Sequence, residues 1–218
     1  MDYIIAIDGP SGVGKGTIAK KLSKILNINY IDTGAMYRAV AYTLITNNIS
    51  LDDHKEIKKI LPKINMEFKN NVLYLEGKKV GKEIRTEEIS KSASLVSSYD
   101  YVREYMVSLQ RKLAEFDSCV LDGRDVGTVI FPKADYKFYL NASLKERARR
   151  RYLQSGKKNG FSLKEVMESI EKRDYEDMHR EHSPLKKADD AIEIDSTEKS
   201  LKDTIIEVLS YIREEKNV

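Results

Sequence analysis

The sequence has little of what would place a protein in a membrane or outside the cell. Cys119 is the only cysteine among 218 residues, which excludes an internal disulfide and a cysteine-based zinc site and fits a reducing compartment. His179 and His182 are too few, without matching carboxylates, to form a metal site. No apolar run approaches the length of a membrane span, and the first residues, MDYIIAIDGP, lack the basic region of a signal peptide. We therefore expect a soluble, cytoplasmic protein with no membrane partner.

A large excess of charge of either sign is also missing. The chain has 38 Lys and Arg residues against 35 Asp and Glu residues, which gives a formal net charge of +3. This balance argues against a nucleic-acid partner, although it does not exclude local basic clusters. A chain of 218 residues is long enough to bury a real core, as one large domain or as a domain with an insertion.

Short apolar runs alternate along the chain with helical patterns. Apolar residues recur at helical spacing at Ile18, Leu22 and Ile25, and the C-terminal stretch LKDTIIEVLSYIREE repeats this pattern. Strands that alternate with helices predict an α/β fold with a parallel sheet covered on both faces. The runs that we interpret as five buried strands are residues 3–7, 29–31, 119–121, 136–140 and 191–194.

One region departs from this alternation. Residues 66–80, MEFKNNVLYLEGKKV, alternate with period two, and Asn70, Asn71 and Gly77 are turn signals. Because a simple strand–helix unit needs no hairpin, we interpret residues 62–89 as a small inserted β-hairpin subdomain. Residues 1–61 and 90–218 then form the α/β core.

A glycine-rich loop follows the first predicted strand and opens the first predicted helix. Residues 5–17 read IAIDGPSGVGKGT, in which Gly9, Gly14 and Lys15 match the phosphate-loop pattern G-x-x-x-x-G-K-[ST]. The glycines let backbone N–H groups converge on phosphate oxygens, and Lys15 supplies a flexible positive charge. A plain glycine turn is the alternative, which the combination of strand, spacing, lysine and hydroxyl disfavours. The residues predicted to bind the nucleotide are Gly9, Pro10, Ser11, Gly12, Val13, Gly14, Lys15, Gly16 and Thr17.

The loop differs from the common pattern at one position, where Gly16 precedes the hydroxyl of Thr17. A residue without Cβ in the first turn of a helix lets the backbone lie closer to an α- or β-phosphate. Thr17 can still donate a hydrogen bond to a phosphate, while its offset by one residue disfavours a direct bond to a metal. In this G-x-x-x-x-G-K-G-T form, the loop resembles that of nucleoside monophosphate kinases.

Further stretches carry a resemblance to one family. IDTGAMYR, SAS before VRE, LDGRDVGTVIFP and RDYEDMHREHSPL, together with the glycine loop and the hairpin, resemble the bacterial cytidylate kinase family along nearly the whole chain. The resemblance implies a three-layer P-loop fold with a five-stranded parallel sheet, in which residues 62–89 form an NMP-binding insertion. It also implies the substrates ATP and CMP or dCMP, the ion Mg2+, and a helical lid around residues 150–165.

Isolated arginines are the first candidates for the second substrate. Any one of them is more often part of a surface ion pair, but guanidinium groups also bind phosphate with two parallel hydrogen bonds. The resemblance implies that Arg38, Arg124 and Arg180 hold the acceptor phosphate. Arg173, Asp177 and Arg180 share one face of a predicted helix, where spacing alone favours an ion-pair ladder. The resemblance implies instead that Asp177 accepts hydrogen bonds from the ribose, with Arg173 beside it.

Recognition of cytosine requires an acceptor for its amino group and donors for its ring acceptors. The resemblance implies Ser94, Arg103 and Asp125 for this task, with Thr33 nearby. Thr33 stands where the family resemblance leads us to expect serine, and the hydroxyl is retained. Asp125 has an alternative role, because a carboxylate just after a strand can orient Arg124 or a metal-bound water.

Sequence alone does not select the carboxylate that contacts the metal ion or the lid arginine that reaches the transferred phosphoryl group. Asp8, Asp32 and Asp122 each end a predicted strand, and Mg2+ is also commonly held through water and phosphate. Arg147, Arg150 and Arg151 share a helical face from which Arg149 points away; such charge runs are usually solvated. The flanking SGKKNG suggests a lid that closes on ATP. The residues predicted to act in phosphoryl transfer are Lys15, Arg38, Arg124, Arg180, Arg147 and Arg151.

Two other readings compete with CMP phosphorylation. UMP or AMP is an alternative acceptor, because base selectivity rests on few contacts. A phosphate-loop switch that hydrolyses nucleotide slowly is the alternative from another class, although the sequence has no N-K-x-D segment. We expect a monomer, because no long exposed apolar stripe is evident.

Overall fold

The computed structural model describes residues 3–156 and 160–214. They divide into two compact units, one formed by Met1–Tyr30 with Ser118–Val218 and the other by Ile31–Asp117. Segment 62–89 therefore lies inside a wider compact unit. None of the helices in the described ranges is long and apolar enough to cross a membrane.

A five-stranded sheet with the order β2-β6-β1-β7-β8 organises the fold. The central strand β1 pairs in parallel with β6 and with β7, and β7 pairs in parallel with β8. The prediction of a five-stranded parallel sheet is confirmed, with each strand within a residue or two of its predicted position. The strands are β1 (Ile4–Asp8), β2 (Asn29–Asp32), β6 (Cys119–Asp122), β7 (Tyr136–Asn141) and β8 (Ile192–Asp195).

The helices of the first unit are α1 (Lys15–Leu26), α6 (Leu144–Arg151), α7 (Leu163–His179) and α8 (Leu201–Glu214). Its core contains apolar residues of β1, β6, β7, β8, α1 and α8. Helix α1 ends at Leu26, and the left-handed backbone of Asn27 after it lets the N–H group of Ile28 donate back to the carbonyl oxygen of Ser23 at 2.9 Å. Helix α7 begins with a capping box, in which Ser162 and Glu165 satisfy each other's backbone N–H groups. These ends fix where the helices present their buried side chains.

The second unit combines helices with a small antiparallel sheet. Its helices are α2 (Thr33–Thr46), α3 (His54–Ile60), α4 (Glu87–Val96) and α5 (Asp100–Leu113), and its strands are β3 (Met66–Lys69), β4 (Val72–Leu75) and β5 (Lys78–Lys79). Asn70 and Asn71 have φ angles of 53° and 63°, as the tight β3–β4 turn requires. The predicted hairpin is confirmed, and the second turn at Gly77 adds a short third strand.

Candidate active site

The glycine loop connects β1 to α1, in the context that the sequence predicted. Gly9, Gly12 and Gly14 all have positive φ angles, of 147°, 78° and 102°. A Cβ atom at Gly9 would lie 2.1 Å from the carbonyl oxygen of Leu140 on β7, so no other residue fits there without displacing backbone. The loop is thus shaped by close packing on the neighbouring strand as well as by its own turns.

Lys15 is buried and faces the backbone of its own loop. Its Nζ donates to the carbonyl oxygens of Gly9 and Pro10, both at 2.7 Å. Burial, followed by the positive charge of Arg124, lowers the pKa of Lys15 well below its usual value. A phosphate group near Lys15 would oppose both effects, because it would supply the negative charge that this lysine's surroundings provide only in part.

Gly16 borders a hydrogen bond that the sequence did not reveal. The hydroxyl of Tyr30 donates to Oδ1 of Asp122 at 2.8 Å. A Cβ atom at Gly16 would lie 3.1 Å from that hydroxyl and 3.6 Å from Oδ2 of Asp122. The missing side chain at Gly16 therefore makes room for Tyr30 and Asp122, a reason beyond close approach to phosphate.

The carboxylates considered for magnesium have different surroundings. Asp8 accepts from the backbone N–H groups of Val126 and Gly127 at 2.9 and 2.7 Å, and burial raises its pKa to about 6. Asp32 caps α2 by accepting from the N–H group of Ala35. Within residues 3–156 and 160–214, no group of three or more His, Cys, Asp and Glu side chains is arranged to hold a metal ion. The negative charge of Asp122 acts on Lys15 and opposes, without outweighing, the lowering of its pKa by burial and Arg124.

The first unit brings together Arg124, Asp125, Asp177 and Arg180, which are distant in sequence. Nε of Arg124 donates to Oδ2 of Asp177 at 2.7 Å. Arg180 lies 3.6 Å from Oδ1 of Asp125 and 3.9 Å from Oδ1 of Asp177. Burial would raise the pKa of Asp177, but Arg124 and then Arg173 outweigh it and lower that pKa. The result is a cluster in which half-buried arginines surround the buried carboxylate of Asp177 and favour its ionised form.

The prediction that Arg180 belongs to the same helix as Arg173 and Asp177 is wrong. Helix α7 ends at His179, and Arg180 has an extended backbone with φ −64° and ψ 144°. Its Nε donates to the carbonyl oxygen of Ser183 at 2.6 Å. Arg180 nevertheless lies near Asp177, because the turn after the helix directs the guanidinium back toward it.

The other predicted acceptor residues belong to the second unit. Arg38 on α2 forms an ion pair with Asp32 at 3.3 Å. Arg103 on α5 is buried, donates to the carbonyl oxygen of Ser97 at 3.1 Å and lies over the ring of Tyr37 at 5.7 Å. Thr33 is buried as the first residue of α2, and Ser94 lies on α4.

The arginines of α6 have distinct partners. Arg150 donates to the carbonyl oxygen and the hydroxyl of Ser196, and Arg149 forms two exposed hydrogen bonds with Glu146. Arg151 lies 3.5 Å from the hydroxyl of Ser11. Arg147 is buried and donates to the carbonyl oxygens of Ser11 and Ala142 at 2.9 and 3.0 Å. Of the lid predicted around residues 150–165, residues 157–159 lie outside the described residues.

The sequence interpretation missed Asp174. This buried carboxylate accepts from the N–H group of Ser11 at 2.7 Å and forms an ion pair with Arg147. Helical spacing from Ile170 indicates that Asp174 faces inward, but spacing alone does not reveal which loop it meets. The same holds for Tyr30, whose partner Asp122 is 92 residues away.

A glycine loop between the central strand of a parallel sheet and a helix, with a buried lysine facing the loop's carbonyls, defines the class of phosphate-loop proteins. A crystal structure of an uncharacterized protein from Eubacterium ventriosum is similar in fold, with a TM-score of 0.56 at 16% identity over 98% of this chain and 99% of that one.

Sequence comparison narrows the class to one family. Residues 5–214 match the family model described as cytidylate kinase. The cytidylate kinase of Clostridioides difficile is 48% identical over 97% of this chain and 98% of its own length. That of Fusobacterium nucleatum is 48% identical over 94% of each, and that of Halalkalibacterium halodurans is 46% identical over 96% and 97%. The chain belongs to the cytidylate kinase family.

Proposed function

We propose that the chain transfers the γ-phosphoryl group of MgATP to CMP or dCMP, which yields ADP and CDP or dCDP. The observation that carries this proposal is the buried Lys15 of the glycine loop, whose pKa is lowered first by burial and then by the positive charge of the half-buried Arg124. Two phosphate groups brought to these cations would relieve the repulsion between them. A site of this kind favours the state in which donor and acceptor phosphates meet.

The reaction needs positioning more than it needs a covalent intermediate. An oxygen of the acceptor phosphate attacks the γ-phosphorus in line, and the bond from that phosphorus to the bridging oxygen of ADP breaks. No general base is required, because a phosphate monoester near neutral pH is already a competent nucleophile. The protein contributes alignment and stabilisation of the charge that spreads over the transferred group.

The glycine loop is the proposed ATP site. The backbone N–H groups after Ser11, up to the start of α1, hold the phosphates, and Lys15 exchanges its carbonyl partners for phosphate oxygens. Mg2+ held with the nucleotide would supply positive charge to the phosphates. Asp122, which accepts a hydrogen bond from Tyr30, is the residue proposed to hold this ion.

The proposed acceptor residues follow the family resemblance. We assign the acceptor phosphate to Arg38, Arg124 and Arg180 and the ribose to Asp177 with Arg173. Asp177 would exchange part of its bonding to Arg124 for the ribose hydroxyls, and the fork of Arg124 would turn to phosphate. The residues assigned to cytosine are Thr33, Ser94, Arg103 and Asp125.

The lid region contributes Arg151 and Arg147 in different ways. The guanidinium of Arg151 lies near the hydroxyl of Ser11 and is the better candidate to reach the transferred phosphoryl group. Arg147 is held by backbone carbonyls and Asp174, which supports a positioning role. We further propose that residues 62–89 form an NMP-binding subdomain. Closure of this subdomain and of the lid around residues 150–165 would exclude water from the reaction. The enzyme is proposed to be a cytoplasmic monomer that acts in pyrimidine metabolism.

The test is a panel of acceptors. ADP formation is measured from MgATP alone and then with CMP, dCMP, UMP, AMP and dTMP. Strong stimulation by CMP and dCMP supports the proposal, and stronger stimulation by UMP or AMP would change the assigned substrate. Equal, slow ADP formation in every reaction would refute phosphoryl transfer to a nucleotide and favour a phosphate-loop switch.

A further inference from the structure

Asp174 and Arg147 hold opposite ends of one residue in the glycine loop. Oδ1 of Asp174 accepts from the N–H group of Ser11 at 2.7 Å, and Nη1 of Arg147 donates to the carbonyl oxygen of Ser11 at 2.9 Å. Oδ2 of Asp174 pairs with the same Nη1 and joins the two contacts. The backbone of Ser11 is therefore held from its donor side and from its acceptor side.

The neighbouring glycine shows how closely the loop lies against α6 and α7. A Cβ atom at Gly12 would lie 3.1 Å from the carbonyl oxygen of Arg147 and 3.3 Å from Cδ1 of Ile170. Asp174 follows Ile170 by one helical turn, and both side chains are buried. The glycine loop thus packs closely against α6 and α7 at Gly12 and forms hydrogen bonds with them at Ser11.

This arrangement also decides which way a loop amide points. The N–H group of Ser11 is directed to a carboxylate, which repels the phosphates of a nucleotide, so this group does not serve as a phosphate donor. Holding Ser11 in that direction fixes the turn from which the following residues enter α1. The first N–H groups of a helix lack acceptors within the helix and are available to an anion.

We propose that Asp174 is a positioning residue, which together with Arg147 preorganises the glycine loop for the phosphates of ATP. Asp174 touches no substrate in this proposal. Its effect is to hold Ser11 in the binding conformation before the nucleotide arrives, so that binding does not have to order the loop.

The decisive variant is Asp174→Asn, which keeps the size of the side chain and removes its charge. An asparagine offers one acceptor oxygen in place of two, so it cannot serve the N–H group of Ser11 and the guanidinium of Arg147 equally well. The dissociation constants of ADP and of CMP are measured separately by isothermal titration calorimetry, alongside kcat and KM for ATP. We expect the dissociation constant of ADP to rise about 10- to 100-fold, in proportion to one lost charge-assisted hydrogen bond. That of CMP should stay within about twofold.

Glu168→Gln on the same helix is the matched control, because Glu168 is exposed and pairs only at 3.9 Å with Lys164 among the contacts described for it. The control should bind ADP as the unaltered protein does. Arg147→Lys, which keeps the charge and loses the fork, should weaken ADP binding in the same direction, and the double variant should lose little more than Asp174→Asn alone.

Unchanged ADP binding in Asp174→Asn would overturn the proposal. So would an equal loss of ADP and CMP binding, which indicates general loss of structure rather than a misplaced loop. If Asp174→Asn does not fold, Arg147→Lys decides by the same two dissociation constants. The acceptor panel tests the proposed function independently, because the unaltered enzyme alone is used there.

Discussion

The glycine loop and the arginine–carboxylate cluster handle buried charge in opposite ways. Lys15 in the loop bonds to backbone carbonyls, and burial with a neighbouring cation lowers its pKa. For Arg124 in the cluster, burial acts to lower the pKa, but the charge of Asp177 outweighs it and raises the pKa. For the lysine, burial and Arg124 thus outweigh the neighbouring carboxylates, whereas for the arginine the carboxylate outweighs burial.

This difference bears on what each region gains from a ligand. A phosphate brought to Lys15 supplies a charge that the protein itself leaves in deficit. A phosphate brought to Arg124 competes with Asp177 for the same guanidinium, and a ribose that engages Asp177 would free part of that guanidinium. In the proposed reaction, the acceptor therefore replaces Asp177 as a partner of Arg124. The donor phosphate instead adds a negative charge beside Lys15.

The largest expected effect is that of Lys15→Ala on turnover. Loss of a charge directed at the transferred phosphoryl group should lower kcat about 100- to 1,000-fold in a steady-state assay. The free energy of unfolding should not show a loss comparable to the loss of turnover, because the variant also removes a buried cation whose charge is poorly compensated. Lys20→Ala, on an exposed position of the same helix, is the control. Turnover unchanged from that of the control would contradict the role of Lys15.

Asp177→Ala should affect the acceptor and spare the donor. It removes a buried carboxylate and leaves the half-buried Arg124 without this counter-ion, so the free energy of unfolding should fall by about 3 kcal/mol. The dissociation constant of CMP should rise at least about tenfold, and that of ATP should change little. Denaturant unfolding and calorimetric titration measure these quantities. Equal losses for CMP and ATP would show that the two regions are not separable.

The pH dependence of stability should report Asp8. Burial raises its pKa from 3.8 to about 6 in the folded protein, so between these values the folded chain holds a proton that the unfolded chain has released. The free energy of unfolding should therefore fall as pH rises from about 4 to about 6, by about 2–3 kcal/mol from this group. Asp125, Lys15 and the backbone amides of Val126 and Gly127 act on the same carboxyl.

Asp8→Asn should remove this contribution. Urea unfolding of both proteins at pH 4.5 and pH 7 gives the comparison, and the difference between the two proteins should change with pH in the direction stated. A difference that stays constant between the two pH values would show that Asp8 titrates as an ordinary exposed carboxyl.

The smallest expected effect is that of Gly16→Ala. Its Cβ would lie 3.1 Å from the hydroxyl of Tyr30, and displacing that hydroxyl disturbs its hydrogen bond to Asp122. We expect a loss of about 1–2 kcal/mol in unfolding free energy and a moderate rise in KM for ATP. Tyr30→Phe removes the clashing atom, so the double variant should be less impaired than the sum of the single ones. If the losses of the two single variants simply add in the double variant, the effect of Gly16→Ala does not arise from its contact with the Tyr30 hydroxyl.

Much of the fold could be predicted because its signals are local. The buried strands are apolar runs, the β3–β4 turn follows from two asparagines that tolerate positive φ, and the glycine loop has its determinants within residues 9–17. Arg180 shows the limit of such signals. Its spacing placed it on α7, but the helix ends one residue earlier, and helical spacing does not fix where a helix stops.

The sequence by itself determined the class of fold, the nucleotide loop and, through its motifs, the family. Only the tertiary structure decided which charges are paired, because Arg124 and Asp177 are 53 residues apart and Ser11 and Asp174 are 163 apart. Partners at such distances are set by strand order and helix packing, which no local pattern encodes. The same reason explains the difference between Arg147 and Arg151. Both lie on one helical face in the sequence, but only the tertiary structure shows that Arg147 is buried and holds the glycine loop.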